Sequence, residues 1–497
     1  LKNQHTQKNI QMKKLLTILY AGLLLTAGGC SKGYFDINQN PNQAVTTTAD
    51  LVLPNALKVT ADQQIGSFSF ASTWMNYWAA SGSYALSATG LDTYKETTTF
   101  GNGIWNTYYR NLEDYNFVEK AAIANKTPFY EAAAKIMKAL VFQQLVDMFN
   151  NIPYSQALSG TTNIQPQYDD AKTIYESLSS KLDSAVTLMS RADAIGSSTS
   201  DVMFGGNNAN WIKLANTLRL RILMRQSEMS GRASYIQGEI TKIVNKGGGF
   251  LTADASVNPG YLNSDGKQSP FWALNYNTAG TYTQAFWRAN QYPITFCQAN
   301  GDPRYQYWYA PAATNGKYQG NVVGSAQNHP GNDASTFGPG VLKSYNQPAV
   351  VVSAAESNFL QAEAVLRGWM TGNDAALVNQ GIQASFTSLG AGDATSYYTQ
   401  SNKNTNYLAC VTFAEKLNCI IRQKWEANNM VTPFEAWCDY RRLGLPADNP
   451  ITVSSFVDVP TIPFRILYPV SEYQYNPANV AAQGTIDHHT SKIFWMK

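Results

Sequence analysis

Residues 132–158 read AAAKIMKALVFQQLVDMFNNIPYSQAL, and the rest of the chain is organised around them. Ile136, Met137, Leu140, Val141, Leu145, Met148 and Phe149 recur at helical spacing. The apolar face they form is too wide for a helix with only one dry side, so this stretch is expected to be an inner helix. Asn150-Asn151-Ile152-Pro153 stops it, because proline lacks an N–H and disfavours helix in the residue before it. Two more stripes follow at similar intervals. From Ala171, positions Ile174, Tyr175, Leu178, Leu182, Ala185, Val186 and Met189 keep the helical period. From Trp211, Leu214, Ala215, Leu218 and Ile222 keep it again, with Arg219, Arg221 and Arg225 off the stripe. The interval between stripes is that of a tetratricopeptide-like array of helical hairpins, although the consensus residues of such repeats are poorly kept.

Composition narrows the ligand. Charged residues make up only 14% of the 497 positions, against roughly 25% in an ordinary soluble domain. Asn, Gln, Ser, Thr and Tyr carry the polarity instead. Such a surface suits a neutral, hydroxyl-rich ligand better than a polyanion, and a net charge of +3 gives no reason to expect nucleic acid.

Residues 12–30, MKKLLTILYAGLLLTAGGC, have the build of an export signal: two lysines, an apolar run from Leu15 to Leu25, then small residues. The run is too short for an ordinary membrane span. Residues 12–29 are expected to be a lipoprotein signal peptide, and the AGGC ending resembles a lipobox that makes Cys30 the lipidated anchor. The following SKGYFDINQNPNQA (31–44) is a polar strap, in which Asp36, Asn38 and Asn40 are expected to form turns rather than bind a cation. Cys297, Cys410, Cys419 and Cys438 remain, and four cysteines allow three pairings.

Three blocks in order, FNNIPYSQAL (149–158), QPQYDDAKTIYESLSSKLDSAV (165–186) and FGGNNANWIKLANTLRLRILMR (204–225), resemble the SusD/RagB family of outer-membrane nutrient-binding lipoproteins. The DINQNPN stretch, Asp302-Pro303-Arg304, the helical ESNFLQAEAVLRGW and PFEAWCDYRRLG, and the tail IPFRILYPVSEYQYNPANV extend the likeness over most of the chain. The implied fold is mainly α: a tetratricopeptide-like scaffold over 45–245 and 351–445, interrupted by a loop-rich, aromatic-rich subdomain over 246–350, in one unit spanning 30–497. The resemblance also implies capture of a nutrient at the cell surface and its delivery to a TonB-dependent transporter of the SusC type. The ligand it implies is an oligosaccharide or, alternatively, a peptide.

Where helical periodicity stops, aromatics continue among Gly, Asn and Pro. A pyranose ring presents an apolar C–H face and a rim of hydroxyls, which flat aromatic rings and amide side chains satisfy. Trp272, Trp287 and Tyr292, with Tyr84 and Tyr94 on either side of an early loop, are the candidate platform. Trp105, Tyr108, Tyr109 and Leu112 sit at helical spacing and are expected in the core instead. Catalytic signatures are missing: no HExxH, GxSxG or P-loop lysine motif occurs, and His488-His489 lies in a polar tail. Glu356 and Glu363 lie seven residues apart on one helix, about 10 Å along its axis, too far for a retaining glycosidase without a bend. Together with Glu426, Asp439, Arg441 and Arg442 they are expected to make inter-helix ion pairs. The chain is thus expected to bind without catalysis, cofactor or metal. A surface hydrolase with carboxylates from distant loops, or a purely structural surface protein, are the alternatives.

Overall fold

The computed structural model describes residues 47–66, 68–85 and 90–497. The signal peptide, Cys30, the 31–44 strap and residues 86–89 of the early loop lie outside the described residues. The long helices are α1 (Ala49–Gly66), α2 (Asn102–Asn125), α3 (Pro128–Phe149), α4 (Ala171–Met189), α5 (Asn208–Arg225), α6 (Ala233–Lys246), α7 (Gln291–Ala299), α8 (Ala354–Leu366), α9 (Asp374–Leu389), α10 (Phe413–Asn428) and α11 (Pro433–Leu443). Each of α1 to α5 neighbours the next in space, with the short helix Ser69–Trp74 lying between α1 and α2 in the chain. In the later part α8 packs on α9 and α10, α10 on α11, and α8 and α11 both return to α5. The fold is mainly α with a tetratricopeptide-like succession of hairpins.

Local chemistry sets the helix limits. Pro128 opens α3, where a missing N–H costs nothing, and Asn150 ends it with φ +67°. Asp170, Asn207 and Ser353 cap α4, α5 and α8 by accepting from a backbone N–H in the first turn, and Thr412 with Glu415 closes a capping box on α10. Every residue of α3 is buried except Glu131, Lys135 and Lys138. These form a single stripe, in which Lys135 reaches Glu131 at 2.5 Å and Glu119 of α2 at 3.0 Å, and Lys138 reaches Glu119 at 2.8 Å. With α2 on one flank and α4 on the other, α3 is the inner helix its wide apolar face calls for.

The arginines off the apolar stripe of α5 are not in solvent. Arg221 and Arg225 are buried, because α5 is covered on the far side by α8 and α11. Arg221 makes a two-pronged pair with Glu356 of α8, both contacts 2.7 Å. Arg225 meets Glu435 of α11 at 2.5 Å and Asp147 of α3 at 3.3 Å. Arg442 of α11 grips Glu363 of α8 through two contacts of 2.6 and 2.7 Å, and Asp439 binds both Arg442 and Lys424 of α10 at 2.9 Å. A guanidinium fork fits a carboxylate in this geometry, and a buried charge without such a partner is strongly destabilising. Glu356 and Glu363 are therefore inter-helix pins, as their sequence setting suggests.

Two tests follow from this packing. Leu140 on α3 and Leu182 on α4 are both fully buried, so Leu140→Ala or Leu182→Ala is expected to cost about 2–5 kcal/mol in denaturant unfolding. The second concerns acid. Burial alone would push the carboxyls of Glu363, Glu435 and Asp439 up, but Arg442 holds Glu363 down, Arg221 and Arg225 hold Glu435 down, and Lys424 and Arg442 hold Asp439 down, leaving all three below their ordinary values. Groups depressed in the folded state contribute fully above the ordinary carboxylate range, and that contribution disappears as the pH falls through the folded values. Unfolding midpoints measured in steps from neutral pH are expected to drop below about pH 4.5, with a shallower drop in Glu363→Gln. An equal drop in that variant would show that the network does not govern acid stability.

Candidate functional site

Between α6 and α8 the backbone has few helical partners, and short strand pairings replace them. Trp78–Ala80 runs antiparallel to Trp287–Ala289, with Ala80 opposite Trp287. The pairing continues as Ser81 donates its N–H to the Phe286 carbonyl at 2.8 Å. A third segment joins them: Gly82 donates to the His329 carbonyl at 2.9 Å, Gly331 to Ser81 Oγ at 3.0 Å, and Arg288 Nε to the Gly331 carbonyl at 2.8 Å. The approach is so close that a Cβ at position 82 would stand 1.9 Å from the Asn328 carbonyl oxygen, so glycine is required there. Asn321 ties the same segments, donating to the Ala80 carbonyl at 2.9 Å and accepting from the His329 N–H at 2.8 Å.

This junction carries a row of rings. Tyr84, 42% exposed, meets Phe286 edge-on at 4.8 Å. Phe286 meets Trp287 at 4.6 Å and 87°, and Trp287 leans on Trp78 at 5.7 Å. Trp78 is 4% exposed and rests on Phe337 at 5.0 Å and Phe271 at 6.3 Å. Half-exposed outer rings thus stand on a buried inner layer. Ser83, His329 and Asn332 are exposed on the loops that frame the row. Next along the chain, Trp272 stacks on Tyr276 at 4.3 Å and 17°, and Tyr276 meets Tyr282 at 5.3 Å across a bridge between those two residues. Gln284 joins the two groups: its Oε1 accepts from the N–H of Phe286 at 3.0 Å and of Trp287 at 3.1 Å, while its Nε2 donates to the Leu274 carbonyl at 3.3 Å. Arg288 lies buried beneath, its Nη1 donating to the carbonyls of Gln284 and Trp287 at 2.9 and 2.7 Å; burial draws its pKa below the ordinary value.

A profile of SusD-like proteins, described as starch-binding and associating with the outer membrane, matches residues 41–469. The chain belongs to the SusD-like family. Solved structures agree. A SusD-like protein from Bacteroides thetaiotaomicron superposes with a TM-score of 0.75 at 23% identity, covering 90% of this chain and 98% of that one. A chitin-binding SusD homolog from Flavobacterium johnsoniae gives 0.74 at 23% identity, covering 90% and 98%. A SusD homolog from Bacteroides fragilis gives 0.74 at 21%, covering 91% and 100%. At these identities the likeness is one of fold. No curated protein sequence matches the chain.

Within this SusD-like frame the expected site residues separate. Tyr84 and Trp287 meet through Phe286, and Trp272 belongs to the adjoining stack. Tyr292 stands apart on α7, where Arg422 of α10 donates to its hydroxyl at 2.7 Å and Trp425 packs edge-on at 5.4 Å. Tyr94 is a correction. It is 1% exposed, packs on Trp74, and accepts a hydrogen bond from the Thr452 N–H at 2.9 Å, so its ring has no face left for a ligand. Phe286, the central ring of the row, was not singled out beforehand. It resembles every other loop aromatic in sequence, and only the strand pairing with 78–80 distinguishes it.

The acidic groups are engaged elsewhere. Among the described residues, Cys297, Asp302 and Glu426 bring ligand atoms together deep in the protein, but Arg304 already fills the cationic place. Its Nη2 binds Asp302 at 2.7 Å and also Glu426, and its Nε reaches both Asp302 oxygens at 3.1 and 3.0 Å. Arg304 thus pairs both within its own turn and across to α10. Burial pushes Glu426 up to about 8 while Arg304 opposes it.

Proposed function

We propose that the chain is a lipid-anchored, surface-exposed receptor of the outer membrane that captures an oligosaccharide on the Tyr84–Phe286–Trp287 row and passes it to a SusC-type TonB-dependent transporter. The row itself carries this reading: three rings in unbroken contact, open to solvent, on a buried tryptophan. A ring face left open by these edge-on contacts can cover the apolar face of a sugar, while Ser83, Asn332 and His329 stand at the rim for hydroxyls. Trp272 and Tyr276 extend the surface for a longer chain. The starch-binding description of the family and the chitin-binding relative favour a glycan over a peptide. The small net charge favours a neutral one.

The ligand is held and released unchanged. Glu356 and Glu363, the carboxylates nearest in sequence to a catalytic pair, are buried in arginine pairs rather than facing the row. No described helix is long and apolar enough to cross a membrane; in this reading the lipid on Cys30 supplies the attachment.

Tyr84→Ala and Trp287→Ala are each expected to weaken binding of chito- or malto-oligosaccharides by about 1–3 kcal/mol in calorimetry. Tyr84→Ala should leave the thermal midpoint near wild type, because the ring is exposed and lies outside the buried layer, against Phe286. Undiminished glycan affinity in both variants would place the site elsewhere. Tighter binding of peptide mixtures would favour a peptide receptor, and shorter saccharides appearing in the incubation would make the protein an enzyme. For the anchor, Cys30→Ala is expected to abolish incorporation of labelled fatty acid and to remove the protein from the outer-membrane fraction; unchanged labelling would refute lipidation at Cys30.

A further inference from the structure

We infer that Cys410 and Cys419 are joined as a disulfide in the mature protein, tying the 399–411 segment to α10. This segment leaves the short helix Thr395–Tyr398, makes one tight turn at Tyr407–Ala409 and enters α10 through the Thr412 cap. Cys410 closes that turn and Cys419 lies inside α10, 4% and 0% exposed. Both are free, buried thiols in the structure. Both also touch carbonyls of the same segment, Cys410 Sγ at 3.4 Å from Lys403 O and Cys419 Sγ at 3.9 Å from Asn404 O. They share one small apolar cluster with Tyr407, Leu417 and Ile420.

The other thiols face different partners. Cys438 lies 3.1 Å from Arg441 Nη2 and 3.9 Å from Asp147 Oδ2, and Cys297 lies beside Asp302 and Glu426. Of the pairings open to these four cysteines, only this one joins two sulfurs that lie against consecutive carbonyls of one segment and in one apolar cluster. The oxidant required is a disulfide-exchange donor, a protein disulfide or glutathione disulfide. The Cys410 thiolate attacks one donor sulfur and expels the other as a thiolate. The Cys419 thiolate then attacks Cys410 in the mixed disulfide and expels the second donor thiolate, so two protons and two electrons leave the protein and the donor departs reduced. Because both sulfurs are covered in the folded protein, the exchange belongs to the stage before the segment closes.

The ring restricts the unfolded chain only over residues 410–419, so its gain in global stability is smaller than that of a long-loop disulfide. What it fixes is position. Asn402 and Asn404 of the same segment donate to Asn300 Oδ1 at 2.5 and 3.4 Å, and Asn300 ends α7, the helix of Tyr292. The inference rests on the export reading, since a reducing compartment would keep both thiols free.

The test takes the full chain from the outer-membrane fraction of expressing cells, with no added oxidant. A second sample is unfolded, reduced and refolded with glutathione disulfide. Both are denatured in iodoacetamide, digested with trypsin and analysed by mass spectrometry. The expected product is peptide 404–416 linked to 417–422, lost on dithiothreitol and in Cys419→Ser, with Cys297 and Cys438 alkylated. Four alkylated cysteines in membrane-derived protein, or a link through Cys297 or Cys438, overturn the pair while leaving export intact. A link in the refolded sample, with none of the protein in the membrane fraction, supports the pair and counts against export alone.

Discussion

Arg221, Arg225 and Arg442 stand where no water reaches, and each helix that packs against them has to present a carboxylate at the right height. That constraint aligns α3, α5, α8 and α11, and Lys424 joins α10 to them through Asp439. An apolar seam tolerates a small slide of one helix along another; a buried guanidinium does not, because losing its partner leaves an uncompensated charge in a medium of low dielectric. Glu356 and Glu363 occupy one face of α8 so that one meets Arg221 of α5 and the other Arg442 of α11. The pair therefore reports the register of three helices, and its spacing has nothing to do with a substrate.

The irregular region between α6 and α8 obeys the same rule with weaker groups. A segment without long helices leaves many backbone amides and carbonyls to satisfy. Asparagine side chains supply much of that: Asn321 and Asn328 both donate to the Ala80 carbonyl, and Asn76 links Asn290 to Asn449. Arg304 then attaches the region to α10 through Asp302 and Glu426. The low charge and high amide content of the chain are a consequence of this architecture as much as of its ligand.

Much of the scaffold was legible because its signals are local. Pro128, the Asp170 and Ser353 caps, and the 3.6-residue stripes of α3, α4 and α5 act within a turn or two of where they stand. The burial of Arg221 and Arg225 was not legible, since a stripe records which face is apolar and not whether a second layer covers the other. The site divides in the same way. Tyr84 and Trp287 are recognisable as loop aromatics, but their adjacency through Phe286 depends on strand pairing between distant segments. Tyr94 looks identical to Tyr84 in composition and setting. Its left-handed backbone, φ +55°, and its bond to Thr452 turn it inward, and Thr452 comes from the far end of the chain.

The ring row has two layers with separate duties. Trp78, Phe271 and Phe337 belong to the core, and their replacement would disturb folding. Tyr84 stands largely outside that layer and contacts Phe286, itself half-exposed, while the loops beneath are held by backbone bonds that do not depend on which side chains they display. Substitutions at positions 84 and 286 are thus free to accumulate without threatening the fold, so that, with the row as the proposed binding surface, a lineage of such proteins can shift from one nutrient to another by exchanging outer rings over an unchanged foundation.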